Sequence, residues 1–161
     1  MDLVEALSSA SHLRFLCSGN VVRSAFAELY ARHAGCPLPV DSAATTFQNA
    51  ELFPETRAAL REVGVDSGWL DAFRPRHLSR LAPEDPAGLV VFGMSREHLD
   101  AWRVLRPDAG PTFLLAEVLG SRRRIADPVM EGASFEATYR EVRRCVDALV
   151  EALSRPQGGA R

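Results

Sequence analysis

The sequence contains no lysine: all nineteen of its Lys-plus-Arg positions are arginine, set against twenty-one aspartates and glutamates and four histidines. Arginine is therefore a habit of this composition, and no arginine marks a site by its presence alone. The formal charge of -2 and a pI near 6.1 give no global attraction to nucleic acid or to an anionic membrane, so any phosphate site must be local. Cysteine is scarce. Cys17, Cys36 and Cys145 are odd in number and form no C-x-x-C, which argues against a disulfide framework and against a structural zinc site. No stretch approaches the roughly 18 consecutive apolar residues of a membrane span. The start, Met1-Asp2-Leu3-Val4-Glu5, lacks the basic region of a signal peptide. These absences predict a cytoplasmic protein with no nucleic-acid or membrane partner.

What is present suits one domain over residues 1–161. With 47% hydrophobic residues, a chain of this length can bury roughly 70% of its unfolded surface. There are no repeats, low-complexity tracts or linkers; the core is expected over about 13–153, followed by a flexible tail at Gln157-Gly158-Gly159-Ala160. Apolar runs at Leu13–Leu16, Leu38–Val40, Leu89–Met94 and Thr112–Leu115 read as short strands. Helical spacing follows from Ser24, a candidate N-cap, to Gly35. It recurs from Pro54 to Val63, from Ser95 to about Leu105, and from Ser134 to Leu153, where Phe135, Tyr139, Val142, Val146, Leu149 and Val150 share a face. This alternation predicts an α/β fold: a flavodoxin-like, four-stranded parallel sheet with helices on both faces. Arg14 is the misfit, a cation inside a strand expected to be central, with no partner evident.

In open parallel sheets ligands bind beyond the carboxyl ends of the strands, which draws attention to Cys17-Ser18-Gly19-Asn20-Val21-Val22-Arg23-Ser24. A loop of this size entering a helix can aim successive backbone N–H groups at one point, and Gly19 and Asn20 tolerate the dihedrals that requires. The helix dipole and the Arg23 guanidinium reinforce negative charge there, so Cys17 is placed as a thiolate nucleophile beneath a phosphoryl group. The plainer reading of Cys17 is a small buried hydrophobe at a strand end.

Leu13 to Glu28 resembles the signature of the low-molecular-weight protein tyrosine phosphatases, V-C-x-G-N-x-C-R-S-P-x-A-E. Further matches fall in order at Val40 to Thr45, Pro54 to Arg57, His77 to Arg80, Glu84-Asp85, Met94 and Asp127-Pro128. The resemblance implies a two-step, metal-free and cofactor-free mechanism: Cys17 attacks phosphorus, Arg23 and the loop amides of residues 18–24 hold the phosphate, and Asp127 is general acid then base. It implies a phosphotyrosine-containing protein as substrate and inorganic phosphate as product. Asn20, Ser24, Ser42 and His77 align with the family's supporting network. Ser24 and Ser42 could equally do simple capping and turn duty, and His77 could be a surface histidine.

Departures from the family pattern bear on specificity. Val22 stands where many relatives carry a second cysteine, so no disulfide can protect Cys17. Val129-Met130 replace one or two aromatics after Asp-Pro, and Gln48, with Phe47 beside it, falls where the opposite wall's aromatic is expected. Ser95 replaces an acidic residue. A branch that hydrolyses phosphoarginine carries Thr where this loop has Val21, which favours phosphotyrosine here. A branch that reduces arsenate needs cysteines near Leu89 to Leu99, and there are none. A non-catalytic phosphoprotein-binding module would suit the altered walls but needs neither Cys17 nor Asp127. Arg122-Arg123-Arg124 reads as a solvated loop or as a basic rim for acidic phosphopeptides.

Overall fold

The structure is a computed structural model that describes residues 1–155; the tail expected at 157–160 lies outside the described residues. Four strands, β1 (His12–Cys17), β2 (Val40–Ala44), β3 (Leu89–Gly93) and β4 (Thr112–Leu114), pair in parallel in the order β2-β1-β3-β4. The helices are α1 (Leu3–Ser8), α2 (Arg23–His33), α3 (Pro54–Glu62), α4 (Ser67–Ala72), α5 (Arg96–Leu105) and α6 (Phe135–Ser154), with 3-10 turns at Leu78–Arg80 and Leu115–Leu119. This is the expected single-domain, four-stranded parallel sheet covered on both faces.

Side chains alternate across β1, and the two faces bury different sets. Leu13, Phe15 and Cys17 join Phe26, Leu29 and the α6 residues Val142, Val146 and Leu149. Leu16, on the other face, packs with Val91, Leu99 and Trp102 under α5. Arg14 shares that second face, and its partner lies on the next strand. The parallel register sets Arg14 against Asp41, whose two carboxylate oxygens accept from Nε at 2.7 Å and Nη2 at 2.9 Å. Asp85 accepts from Nη1 at 3.1 Å, and the guanidinium lies over the Trp102 ring.

Three boundaries differ from the sequence reading. The second strand is not Leu38–Val40 but runs on from Val40, because Pro39 has no N–H to donate and only its carbonyl pairs, accepting from Leu13 N. The fourth strand stops at Leu114, and Leu115 opens a 3-10 turn. Ser24 is not the N-cap of α2: the helix starts at Arg23, Val22 holds the cap position with no side-chain bond, and the Ser24 hydroxyl turns to Cys17. Two helices had no counterpart in the sequence reading. Asp2 and Glu5 close a capping box on α1, and Asp66 accepts from the first amides of α4. No helix among the described residues is long and apolar enough to cross a membrane.

The sheet order reverses between β1, whose chain continues toward β2, and β3. A loop leaving the end of β1 therefore opens at this switch point.

Candidate active site

The loop from Cys17 to Arg23 is held from outside by its carbonyls. Cys17 O accepts from Thr45 N at 2.8 Å, Ser18 O from Thr46 N and Phe47 N at 3.1 and 2.9 Å. Gly19 O accepts from Asn49 Nδ2 at 3.0 Å, and Val21 O from Thr56 Oγ1 at 2.8 Å and Phe53 N at 3.3 Å. All these peptides are trans, so each anchored carbonyl points its partner N–H the opposite way. The N–H groups of residues 18–22 donate to no protein acceptor among the described residues. Those of residues 18, 19, 20 and 22, each across a peptide from an anchored carbonyl, form a nest of donors on the inner side of the loop.

Asn20 is the one non-glycine residue described with positive φ, at 56°, and its fully buried side chain holds it there. Its Oδ1 accepts from Arg76 N at 3.0 Å, which fixes the amide orientation, so Nδ2 donates to Ser24 Oγ at 2.9 Å and Ser42 Oγ at 2.8 Å. Ser42 passes its own hydrogen to Glu28 Oε1 at 2.7 Å; burial pushes the Glu28 carboxyl above its ordinary value. Ser24, having accepted from Asn20, has its single hydrogen left for Cys17 Sγ at 2.9 Å, and Ser24 N lies 3.4 Å from the same sulfur. Two donors therefore stabilise negative charge on Cys17.

Arg23 is 3% exposed. Its Nη1 donates to Ile125 O at 2.8 Å, while Nη2 lies 3.4 Å from both Ser18 Oγ and Asp127 Oδ2. Asp127 is itself oriented: Oδ1 accepts from Val129 N at 2.9 Å, and its N–H donates to Glu131 Oε1 at 3.1 Å. Glu131 also pairs with Arg124. Cys17, Arg23 and Asp127 line one cavity of about 260 Å³ with Ser18, Gly19, Val21 and Val22. Phe47, Gln48, Asn49, Phe53, Val129 and Met130 complete its walls. Phe47, Val129 and Met130 are 46%, 47% and 68% exposed, so the mouth has an apolar rim.

His77 stands apart from the Asn20 network. Its Nδ1 accepts from Ser79 N and its Nε2 faces Thr45 O; the amide that reaches Asn20 belongs to its neighbour Arg76. Of the arginine triplet, Arg123 faces Glu141 at 3.9 Å, and Arg124 pairs with Glu131 on the turn that carries Asp127.

Sequence reasoning missed Asn49, Thr56 and His98. Burial, with Arg23 nearby, pushes the His98 ring down to about 3, so it is neutral. Nδ1 accepts from Ser95 N at 3.1 Å, which leaves the hydrogen on Nε2 to donate to Ser18 Oγ at 3.0 Å. Ser95-x-x-His98 at the start of α5 was a readable capping signal; its reach to the loop was not.

A family model described as low molecular weight phosphotyrosine protein phosphatase matches residues 12–158. No curated protein sequence matches the chain. Among solved structures it is similar to the tyrosine phosphatase AmsI of Erwinia amylovora, at 23% identity over 91% of this chain and 95% of that one, with a TM-score of 0.76. The YwlE arginine phosphatase of Geobacillus stearothermophilus is 26% identical over 89% and 90% of the two chains, TM-score 0.69. The tyrosine phosphatase Wzb of Escherichia coli K30, in complex with sulphate, is 21% identical over 90% and 99%, TM-score 0.72.

Proposed function

The chain belongs to the low molecular weight phosphotyrosine protein phosphatase family, and from that premise we propose that it hydrolyses phosphotyrosine in protein substrates through a phosphocysteine intermediate. One observation carries the reading: a sulfur with two donors, a buried guanidinium and an oriented carboxyl line a single cavity beside unpaired loop amides.

The chemistry follows from that arrangement. Cys17 Sγ attacks phosphorus; as the S–P bond forms the P–O bond to the phenol breaks, and Asp127 gives its proton to the departing oxygen. The three equatorial oxygens carry the phosphoryl charge through the transition state, and the inward N–H groups with Arg23 stabilise it without reorganising. Asp127, now a carboxylate, takes a proton from water as that water attacks phosphorus. The S–P bond breaks, releasing inorganic phosphate and the Cys17 thiolate. No step requires a metal.

The apolar rim of Phe47, Val129 and Met130 suits a flat, carbon-rich side chain, and aliphatic Val21 beside the bowl favours an aryl over a guanidinium leaving group. Three free cysteines suit a reducing, cytoplasmic compartment.

The test is release of p-nitrophenol from its phosphate ester, with Cys17→Ser and Asp127→Asn as controls, followed by phosphotyrosine and phosphoarginine peptides compared side by side. Cys17→Ser should abolish turnover, and Asp127→Asn should lower kcat by roughly 10²- to 10⁴-fold. Wild-type protein that binds phosphate without turnover would make the chain a phosphoprotein-binding module. Preference for the phosphoarginine peptide would move it to the arginine branch.

A further inference from the structure

Thr56 lies at the third position of α3 and Tyr139 in the first turns of α6, 83 residues apart in sequence, yet their oxygens are 2.7 Å from each other. Neither side of this contact belongs to the cavity, and the mechanism above does not use it. Thr56 is fully buried and Tyr139 is 7% exposed, so each hydroxyl must find its partners inside the protein.

Counting hydrogens gives the contact a direction. Val21 O can only accept, and Thr56 Oγ1 stands 2.8 Å from it, so the single threonine hydrogen goes there. The oxygen of Thr56 can then only accept from Tyr139, whose hydroxyl must donate. Burial supports this by pushing the Tyr139 phenol up to about 12, keeping its hydrogen in place. The result is a one-way chain, Tyr139 O–H to Thr56 O–H to Val21 C=O.

The carbonyl at its end shares a trans peptide plane with Val22 N–H, so holding the oxygen outward fixes that N–H on the opposite, inner side of the loop. Val22 lines the cavity, and its N–H has no protein acceptor among the described residues. Val21 also follows Asn20, whose left-handed backbone is the loop's strained point. The peptide this chain reaches is the next but one after that strained residue's φ, between Val21 and Val22.

We propose that Tyr139 and Thr56 are positioning residues for the catalytic loop, which aim the Val22 N–H at the phosphoryl oxygen through the Val21 carbonyl. The proposal rests on the phosphatase reading for its effect on turnover, but its effect on phosphate affinity stands without it. Neither residue touches the reacting atoms. Tyr139 also stacks on Phe26 at 4.8 Å, and replacement by Phe keeps that ring while removing only the hydroxyl.

The experiment measures inhibition by, or direct binding of, inorganic phosphate together with kcat and KM for p-nitrophenyl phosphate in Tyr139→Phe, Thr56→Val, Thr56→Ser and the Tyr139→Phe/Thr56→Val double variant, each with its melting temperature. Deleting an oxyanion donor outright costs about 10²- to 10³-fold in kcat. A donor that remains but loses its aim, with Phe53 N still on the carbonyl, should cost less. Thr56→Val is expected to lose about tenfold in phosphate affinity and in kcat/KM, and Tyr139→Phe about threefold. The double variant should be no worse than Thr56→Val, and Thr56→Ser should sit near wild type. Phosphate affinity unchanged in Thr56→Val and Tyr139→Phe overturns the proposal. So does a double variant whose loss is the product of the single losses, because a chain in series cannot be broken twice. Should wild type show no turnover, the phosphatase reading fails, and the phosphate-binding series still decides this one.

Discussion

Arg23 and Ile125 are joined across the end of the sheet by a hydrogen bond of 2.8 Å from Nη1 to the backbone oxygen, two residues ahead of Asp127. The other terminal nitrogen lies 3.4 Å from the Asp127 carboxylate. One buried guanidinium thus ties the start of α2 to the segment that carries Asp127, and the planar fork of arginine allows both contacts at once.

Arg23→Lys is therefore not conservative. An ammonium is a point charge that can serve the carbonyl or the oxyanion but lacks the fixed geometry for both. A fall in kcat/KM of roughly 10²- to 10³-fold is expected, comparable to losing a preorganised oxyanion donor. Steady-state kinetics on p-nitrophenyl phosphate decide it; activity within a few-fold of wild type would show that the tether to Ile125 is idle.

How far the sequence revealed this site depends on the reach of each contact. The loop from Cys17 to Arg23 was legible because its parts are contiguous, and Asp127-Pro128 because the resemblance supplied a position for it. Ser24 was legible as a hydroxyl at a helix start, but not its direction: capping and bonding to Cys17 Sγ look alike until Asn20 is seen to occupy its acceptor side. Asp41 could not be paired with Arg14 before the register of β1 on β2 was known, since nothing local couples positions on neighbouring parallel strands. Thr56 and Tyr139 meet only because α3 and α6 pack side by side, and each alone reads as an ordinary helix residue. His77, aligned with the supporting network, yields its place to the backbone of Arg76. A backbone donor leaves no trace in residue identity.

The Arg14 pair yields a prediction on stability. Burial alone would raise the Asp41 carboxyl, but the Arg14 guanidinium, with His12 and Arg76, outweighs it and holds the group below its ordinary value. Asp41→Asn leaves a 5%-exposed cation with Asp85 as its remaining carboxylate. A loss of about 3 kcal/mol in urea unfolding at pH 7 is expected, at the low end for a broken buried pair. Because the folded value is depressed, this stability is fully present above about pH 4 and is lost as pH falls further. The gap between wild type and variant should close there. A gap that holds constant into strong acid would contradict the ion pair.

His98 predicts a second pH effect, in a different window. Its folded value near 3 lies below the ordinary histidine value of about 6.5, so between those limits the unfolded chain binds a proton that the native ring refuses. Stability must therefore fall as pH drops below about 6.5, by up to about 1.4 kcal/mol per pH unit. His98→Asn can still accept from Ser95 N but has nothing to titrate. It should be less stable than wild type at pH 8 and draw level as the medium is acidified. Parallel unfolding profiles for the two proteins between pH 7 and 4 would show that the ring is not held neutral.

Oxidation is where Val22 should matter most. Peroxide converts an accessible cysteine sulfur such as Cys17 to a sulfenic acid, which a neighbouring thiol can trap as a disulfide with loss of water; without one, further oxidation to sulfinic acid is irreversible to thiols. The other cysteines are badly placed for rescue: Cys145 is buried within α6 and Cys36 lies beyond the far end of α2. Val22, 4% exposed, lines the cavity with Cys17, and cysteine is smaller than valine, so Val22→Cys should fold with little cost. After matched peroxide exposure, quenching and treatment with dithiothreitol, the variant should regain most of its activity and wild type markedly less. Mass spectrometry should find the Cys17–residue 22 disulfide in the oxidised variant and sulfinic acid on Cys17 in wild type. Equal recovery of the two proteins would mean that something other than a neighbouring thiol shields the wild-type sulfur.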